Sequence, residues 1–271
     1  QTRKIPDIYW ASFPWVKTPV TRCEIYYPEE DESPIAESDI HVSQIAAILL
    51  TLRFWLREAK SAYAAANMLL YYQEGQPKRR ISPDVFVVWG VDDYARRSYK
   101  LWEEKQAPQI VFEITSRKTR EEDLGKKRLI YAQIGVEEYY LFDPYGQYLN
   151  PPLRGYQLVG EEYSLRLVQA SAPPALNNEN QEIPAGWRLP SQRLKLDLWA
   201  LPTNDPRKPF VLRFYDPAAG DWLVEPEQAL ADREALAVEA RESKAQLRAA
   251  EERAAQLEVE LEKLRRAGGA K

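Results

Sequence analysis

The sequence predicts an α/β fold of the α+β type, in which a mixed sheet is flanked by helices and followed by a C-terminal coiled-coil helix. Three observations carry this. A helical segment with a wide apolar face precedes four short apolar runs, NMLLYY, DVFVVW, QIVFEI and EYYLFD. A second segment of helical spacing, TREEDLGKKRLIYAQIG, separates the last two runs, so the order reads helix, three strands, helix, strand. The end of the chain carries an apolar repeat of alternating four and three residues.

Composition bounds what such a chain can do. With 271 residues, 45% of them apolar, it can bury the core of one large domain or two small ones. A net charge of −4 argues against holding nucleic acid by bulk electrostatics and leaves only a local basic patch for that purpose. One cysteine, Cys23, and one histidine, His41, exclude disulfide frameworks and Cys/His zinc sites within one chain, which leaves carboxylates as the plentiful metal ligands. The longest apolar stretch, IAAILLTLRFWL, is interrupted by Arg53 and is short for a membrane span, and no signal-peptide pattern precedes it. No membrane partner and a cytoplasmic location are expected. The chain opens on Gln, so its natural start is expected upstream.

Taken in order, residues 1–37, with YYPEEDESP, read as an irregular lead-in. A domain is expected over 38–200. It opens at Ser38-Asp39, an N-cap pair, with Ile45, Ile48, Leu49, Leu52, Phe54 and Leu56 on the apolar face of the following helix. In the later helix, Thr119 is the N-cap candidate and Gly135 the stop. YQLVGEEYSLRLV reads as a hairpin, a Pro- and Asn-rich loop covers 171–186, and FVLRFYDPAAGDWLV supplies a second hairpin within a linker over 201–225. These late segments are expected to be peripheral. In the tail, 226–271, Leu236, Ala240, Ser243, Leu247, Ala250, Ala254, Leu257, Leu261 and Leu264 form an a/d seam. Its readings are a homodimer through this coiled coil or a lone helix packing back on its own domain.

Two of the strand-like runs each carry a carboxylate, Asp84 and Glu113, at places where Val or Ile would be cheaper. Alternation puts Phe112 and Ile114 on one face of the strand and Val111, Glu113 and Thr115 on the other. An unpaired carboxylate there costs several kcal/mol, on the order given for buried charges, unless a cation or donors satisfy it. Asp84 follows Pro83 at the mouth of its strand, where it can share a cleft with Glu113. Two converging carboxylates suit a hard divalent cation that keeps positions for water and phosphate. Asp123, Lys127 and Tyr131 lie at i, i+4 and i+8 on one helix face, from which Lys127 can reach back. The plain alternatives are a turn residue for Asp84, an internal salt bridge for Glu113, an exposed acid for Asp123 and core packing for Tyr131.

The leading helix, the Pro-Asp strand, the Glu-bearing strand, the helix and the last strand stand in the order of the PD-(D/E)XK nuclease superfamily. Within it, SDIHVSQ, SPDVFVVWGV, SYKLWEE, PQIVFEITS, TREEDLGKK, YAQIGVEEYYLFDP and LNPPLRGYQL resemble the Uma2-type restriction endonuclease family, over about Ser38 to Val168. The resemblance implies a restriction-endonuclease-like core, Asp84 and Glu113 as ligands of Mg (or Mn), and the Ile114 carbonyl as a further ligand. Thr115 stands where the motif's lysine would be, and Lys127 is its natural replacement, with Lys126 and Lys118 poorer candidates. The superfamily takes another acid from its first helix. Here that region offers His41 and Gln44, or else Asp39 merely caps the helix and His41 lies on the surface. Arg117, Lys118, Arg120, Lys126, Lys127 and Arg128 form either a phosphate-binding patch or a solvated face paired with Glu121 and Glu122. The expectation is an Mg-dependent endonuclease acting on DNA. The alternative is a catalytically inactive nucleic-acid-binding or regulatory protein that assembles through its coiled coil.

Overall fold

The computed structural model describes residues 26–28, 38–59, 61–174 and 184–226, with scattered helical positions between 229 and 253. Helix α1 (Asp39–Leu56) starts where expected. Ser38 is extended, and its hydroxyl accepts the His41 N–H at 3.2 Å, satisfying one of the free donors of the first turn. By length and composition α1 is apolar enough to cross a membrane; Ile45, Ile48, Leu52 and Leu56 are buried in the protein's own core, whereas Phe54, expected on the same face, is exposed on the far side of the turn.

The strands that follow are β1 (Ala62–Ala66), β2 (Leu70–Tyr71), β3 (Arg80–Ile81), β4 (Val85–Trp89) and β5 (Tyr99–Lys100). After the short helix α2 (Leu101–Glu104) comes β6 (Ile110–Ile114), and then a helical run of α3 (Arg120–Glu122), a π turn (Asp123–Lys127) and α4 (Arg128–Ile134). Gly135, with φ of 87°, ends that run in the left-handed conformation, as its sequence position predicts. Thr119 starts it without a side-chain cap on the helix and instead bonds Ser116. Next are β7 (Glu138–Phe142), β8 (Leu153–Val159) and β9 (Glu162–Arg166). The principal sheet has the order β1-β4-β6-β7-β8-β9. Only its β6–β7 pair is parallel, as it must be when a helix crosses between two strands.

One expected strand lies elsewhere. NMLLYY supplies β2, which sits in a small sheet of order β3-β2-β5, and the neighbour of β4 is AYAAA. Alanine carries little strand signal of its own; β1 is held by burial beneath neighbouring elements, a tertiary effect. Its edge is partly closed by Arg53, whose Nε donates to the Ala64 carbonyl at 3.0 Å.

The segments expected to be peripheral complete the core. β10 (Gln169–Ser171), β11 (Gly186–Pro190), β12 (Asp197–Pro202), β13 (Phe210–Asp216) and β14 (Asp221–Trp222) form a second sheet in that order. Its Leu198, Ala200, Leu212 and Phe214 join Val85, Val87, Ile110, Phe112 and Ile114 in one apolar cluster. Each such side chain contributes roughly 1.5–3 kcal/mol when fully buried. Gly155 of β8 permits this approach, since a Cβ there would collide with Leu189 of β11 and with Tyr140. The boundary expected at residue 200 therefore falls within β12, and the compact unit runs to Leu223. The tail from Val224 is a separate unit, helical from Pro226 onward where described, with Leu236 exposed. Its seam positions Leu247, Ala250, Ala254, Leu257, Leu261 and Leu264, most of the lead-in and the loop at 175–183 lie outside the described residues.

Candidate functional site

The strand alternation read from QIVFEIT is realised. Ile110, Phe112 and Ile114 face α1 and the second sheet, while Val111 lies with Tyr131, Tyr139 and Leu141 on the opposite face. Glu113 shares that opposite face and is 0% exposed. Both of its oxygens are engaged: Oε2 accepts from Lys127 Nζ at 2.7 Å and Oε1 from the Tyr131 hydroxyl at 2.5 Å. Lys127 also stands 3.0 Å from Asp123 Oδ1, so one ammonium bridges two buried acids. The three helical residues reach the same place across the π turn, a widened turn often found at functional sites.

Asp84 enters from the adjoining strand. It immediately precedes β4, and its Oδ2 accepts the Ile114 N–H at 2.6 Å, which fastens it to the β6 end that carries Glu113. His41 is buried, against the surface alternative, with Nε2 3.4 Å from Asp84 Oδ2. The Ile114 peptide thus meets Asp84 through its N–H. Thr115 is 0% exposed, and its hydroxyl has no hydrogen-bond partner among the described residues. Gln44 is also buried, but its Oε1 accepts from the Leu212 N–H at 3.5 Å and so ties α1 to β13.

Electrostatics set the character of the cluster. Asp84, Glu113 and Asp123 are three acids whose charges act on the one Lys127 ammonium, which is in contact with Glu113 and Asp123. Burial pushes Glu113 well above the usual carboxylate range, opposed by Lys127 and reinforced by Asp84 and Asp123. Burial likewise raises Asp123, with Lys127 opposing. Desolvation works against the Lys127 ammonium, yet Glu113, Asp123 and Asp84 together outweigh it and raise its pKa. Lys127 is therefore a fixed cation and not a base. Burial followed by Glu113 raises Tyr131, so its hydroxyl stays a donor.

The donor set fits a hard divalent cation. Among the described residues no three His, Cys, Asp or Glu side chains gather as a closed metal cage. Mg²⁺ does not need one, since it is ordinarily held by one or two carboxylates and completed by water and substrate phosphate. Asp84 and Glu113 would be that pair, and the unpartnered Thr115 hydroxyl on the Glu113 face is available to an ordered water.

Around the site the basic cluster divides. Arg117, Lys118 and Lys126 are exposed, whereas Arg120 donates to the Tyr148 carbonyl at 2.8 Å and Arg128 lies over the Tyr156 ring. Tyr139, Tyr140 and Phe142 are core residues. One more fully buried acid, Glu138, has a role that no sequence pattern signals. It accepts from Ser191, the Gln192 and Arg193 amides and Tyr140, which marks it as a fastener between the two sheets.

Among protein families, the one described as "Uma2: Putative restriction endonuclease" matches residues 18–198, more than half of the chain. Among solved structures, the crystal structure of "a putative nuclease belonging to DUF820" from Anabaena variabilis aligns at 14% identity with a TM-score of 0.37, covering 51% of this chain and 73% of that one. No curated protein matches.

Proposed function

This chain belongs to the Uma2 family, and from that premise we propose that it is a metal-dependent endonuclease hydrolysing phosphodiester bonds of DNA. The observation that carries the reading is the buried cluster of Asp84, Glu113 and Asp123 around Lys127, short of positive charge and reached by solvent at Asp84 and Lys127. Asp84 and Glu113 would hold Mg²⁺ or Mn²⁺, which when bound supplies an activated water and neutralises phosphate charge. The protein's own groups do the rest. The Ile114 N–H orients Asp84, and the Tyr131 hydroxyl orients Glu113. Lys127, held protonated, offers a fixed positive charge to the phosphate oxygens as negative charge builds on them. In this reading His41, beside Asp84, would carry a proton to or from the leaving oxygen. In this reading Lys127 takes the part of the lysine that Thr115 displaces.

The test is incubation of supercoiled plasmid and a labelled single strand with the protein in Mn²⁺, Mg²⁺ or EDTA, alongside Asp84→Ala, Glu113→Ala and Lys127→Ala. Metal-dependent nicking lost in all three variants is expected. No cleavage of either substrate by the wild type, with binding retained, would replace this reading with nucleic-acid binding without turnover. That second reading draws on one observation, the occupation of both Glu113 oxygens by Lys127 and Tyr131. The tail, by its heptad seam, is proposed to pair with a second copy of the chain.

A further inference from the structure

At the far end of α1 from His41, twelve residues and so about 18 Å along the helix, a cavity of about 600 Å³ opens beside the edge strand β1. Its lining includes Arg53, Arg57, Tyr63, Met68, Tyr94 and Arg96, from three separate parts of the chain. Its volume is that of a small-molecule site. Three arginines face one lining acid, Asp93, in a protein whose net charge is −4. None of these residues belongs to the Asp84–Glu113 cluster.

The aromatic part of this cavity is built rigidly. Arg96 is fixed by Glu104, with Nε at 2.7 Å from Oε1 and Nη2 at 3.0 Å from Oε2, and by the Asp92 and Tyr94 carbonyls. Its guanidinium lies 3.7 Å from the Tyr94 ring centre and 4.4 Å from that of Tyr63. The Tyr94 hydroxyl also donates to Glu104 Oε1 at 3.0 Å. Tyr94 is thus held at its hydroxyl and across one face, yet it remains 54% exposed. A tyrosine exposed to that degree and fastened at two points is a preorganised stacking platform. Arg53 spends its Nε on the Ala64 carbonyl, and Arg57 one turn later lies over the Phe54 ring, 4.1 Å from its centre, with an exposed contact to Glu58 at 3.5 Å that carries little energetic weight. Ser61, on the same lining, has the rare φ of 59° for a residue with a Cβ, a strained conformation of the kind that gathers at binding sites.

We propose that this cavity binds a nucleotide unit, with a planar base stacked on Tyr94 and a phosphate taken by Arg57 and Arg53. The unit is either a free mononucleotide or one nucleotide of a strand. The idea that the strand is the one being cut rests on the nuclease reading, whereas the binding itself does not.

The test is titration calorimetry of the full chain in EDTA with 5′-dAMP, inorganic phosphate and a short oligodeoxyadenylate. Variants are Tyr94→Ala, Tyr94→Phe and Arg57→Gln, with circular dichroism to verify folding. The wild type is expected to bind dAMP about fivefold or more tighter than phosphate, because about fivefold is the low end of what one base–aromatic stack contributes. Tyr94→Ala should lose about that factor for dAMP and leave phosphate unchanged, while Tyr94→Phe keeps the ring and most of the affinity. Arg57→Gln should weaken dAMP and phosphate alike. Displacement of dAMP by the oligonucleotide identifies a strand as the ligand, and dAMP binding without displacement identifies a free nucleotide. Absence of dAMP binding, or binding that Tyr94→Ala and Arg57→Gln leave unchanged, overturns the proposal. Since no metal is present, that failure is distinct from a failure of cleavage in the plasmid assay.

Discussion

Replacing Lys127 by Met keeps the apolar stem and removes the charge on which the cluster depends. In the native protein that ammonium lies 2.7 Å from Glu113 and 3.0 Å from Asp123, both 0% exposed, and is itself only 14% exposed. Without it, three buried or nearly buried carboxylates remain with no opposing charge except through His41. Removing one partner of a buried pair costs about 3–5 kcal/mol, and here two acids lose the same partner. At about 2–4 °C per kcal/mol for a unit of this size, Tm should fall by roughly 6–20 °C at pH 8 in EDTA. The loss must also depend on pH. Burial already raises Glu113 and Asp123, and removal of Lys127 raises them further. A carboxyl whose folded pKa lies above its unfolded value favours the fold below the unfolded pKa, near 4, and that contribution is lost as pH rises through the folded pKa. The variant should therefore approach wild-type stability near pH 4.5 and diverge from it toward pH 8. The assay is urea unfolding followed by tryptophan fluorescence across that range. A deficit below about 1 kcal/mol at pH 8, the level of an exposed pair, or a deficit independent of pH, would refute this account of the cluster.

Three other outcomes follow from the same structure. Tyr131→Phe removes a charge-assisted hydrogen bond to Glu113 and should cost about 1.5–3 kcal/mol in urea unfolding, and under the proposed function it should slow plasmid cleavage without abolishing it because Asp84 and Lys127 remain. Gly155→Ala forces a Cβ against Leu189 and Tyr140 and should destabilise by about 1–3 kcal/mol, as overpacking does, which calorimetry would register as a lower Tm while the metal dependence of cleavage is unchanged. On the proposed pairing of the tail, ending the chain after Glu225 removes the heptad seam and should turn dimers into monomers in sedimentation.

Much of the site is legible in the amino-acid sequence, because strand geometry is local. Alternation along QIVFEIT is enough to put Glu113 opposite the Phe112 face, and i, i+4, i+8 spacing is enough to align Asp123, Lys127 and Tyr131. A buried carboxylate demands a partner, and few lysines lie on the right face. Ser38 as a cap and Gly135 as a stop are equally readable, since caps answer to a few neighbouring backbone groups. The order of elements, together with seven phrases, carries the family.

What the sequence hides depends on contacts between residues far apart in the chain. AYAAA has no strand signature; β1 exists because β4 offers it an edge and neighbouring elements bury it. The late hairpins look peripheral because period-two patterns reveal which face is apolar but not what will cover it. Only packing shows that Phe214 meets Phe112, and that Gly155 is bare so that Leu189 can approach. Likewise, no spacing rule announces that the Ile114 amide holds Asp84 from thirty residues away, or that Arg96 sits between Tyr63 and Tyr94. The sequence by itself determined which residues carry charge, on which face of their own strand or helix they lie, and where α1 begins and the helical run before β7 ends. The tertiary structure decided which of those faces meet, because burial energy is shared among segments and belongs to none of them alone.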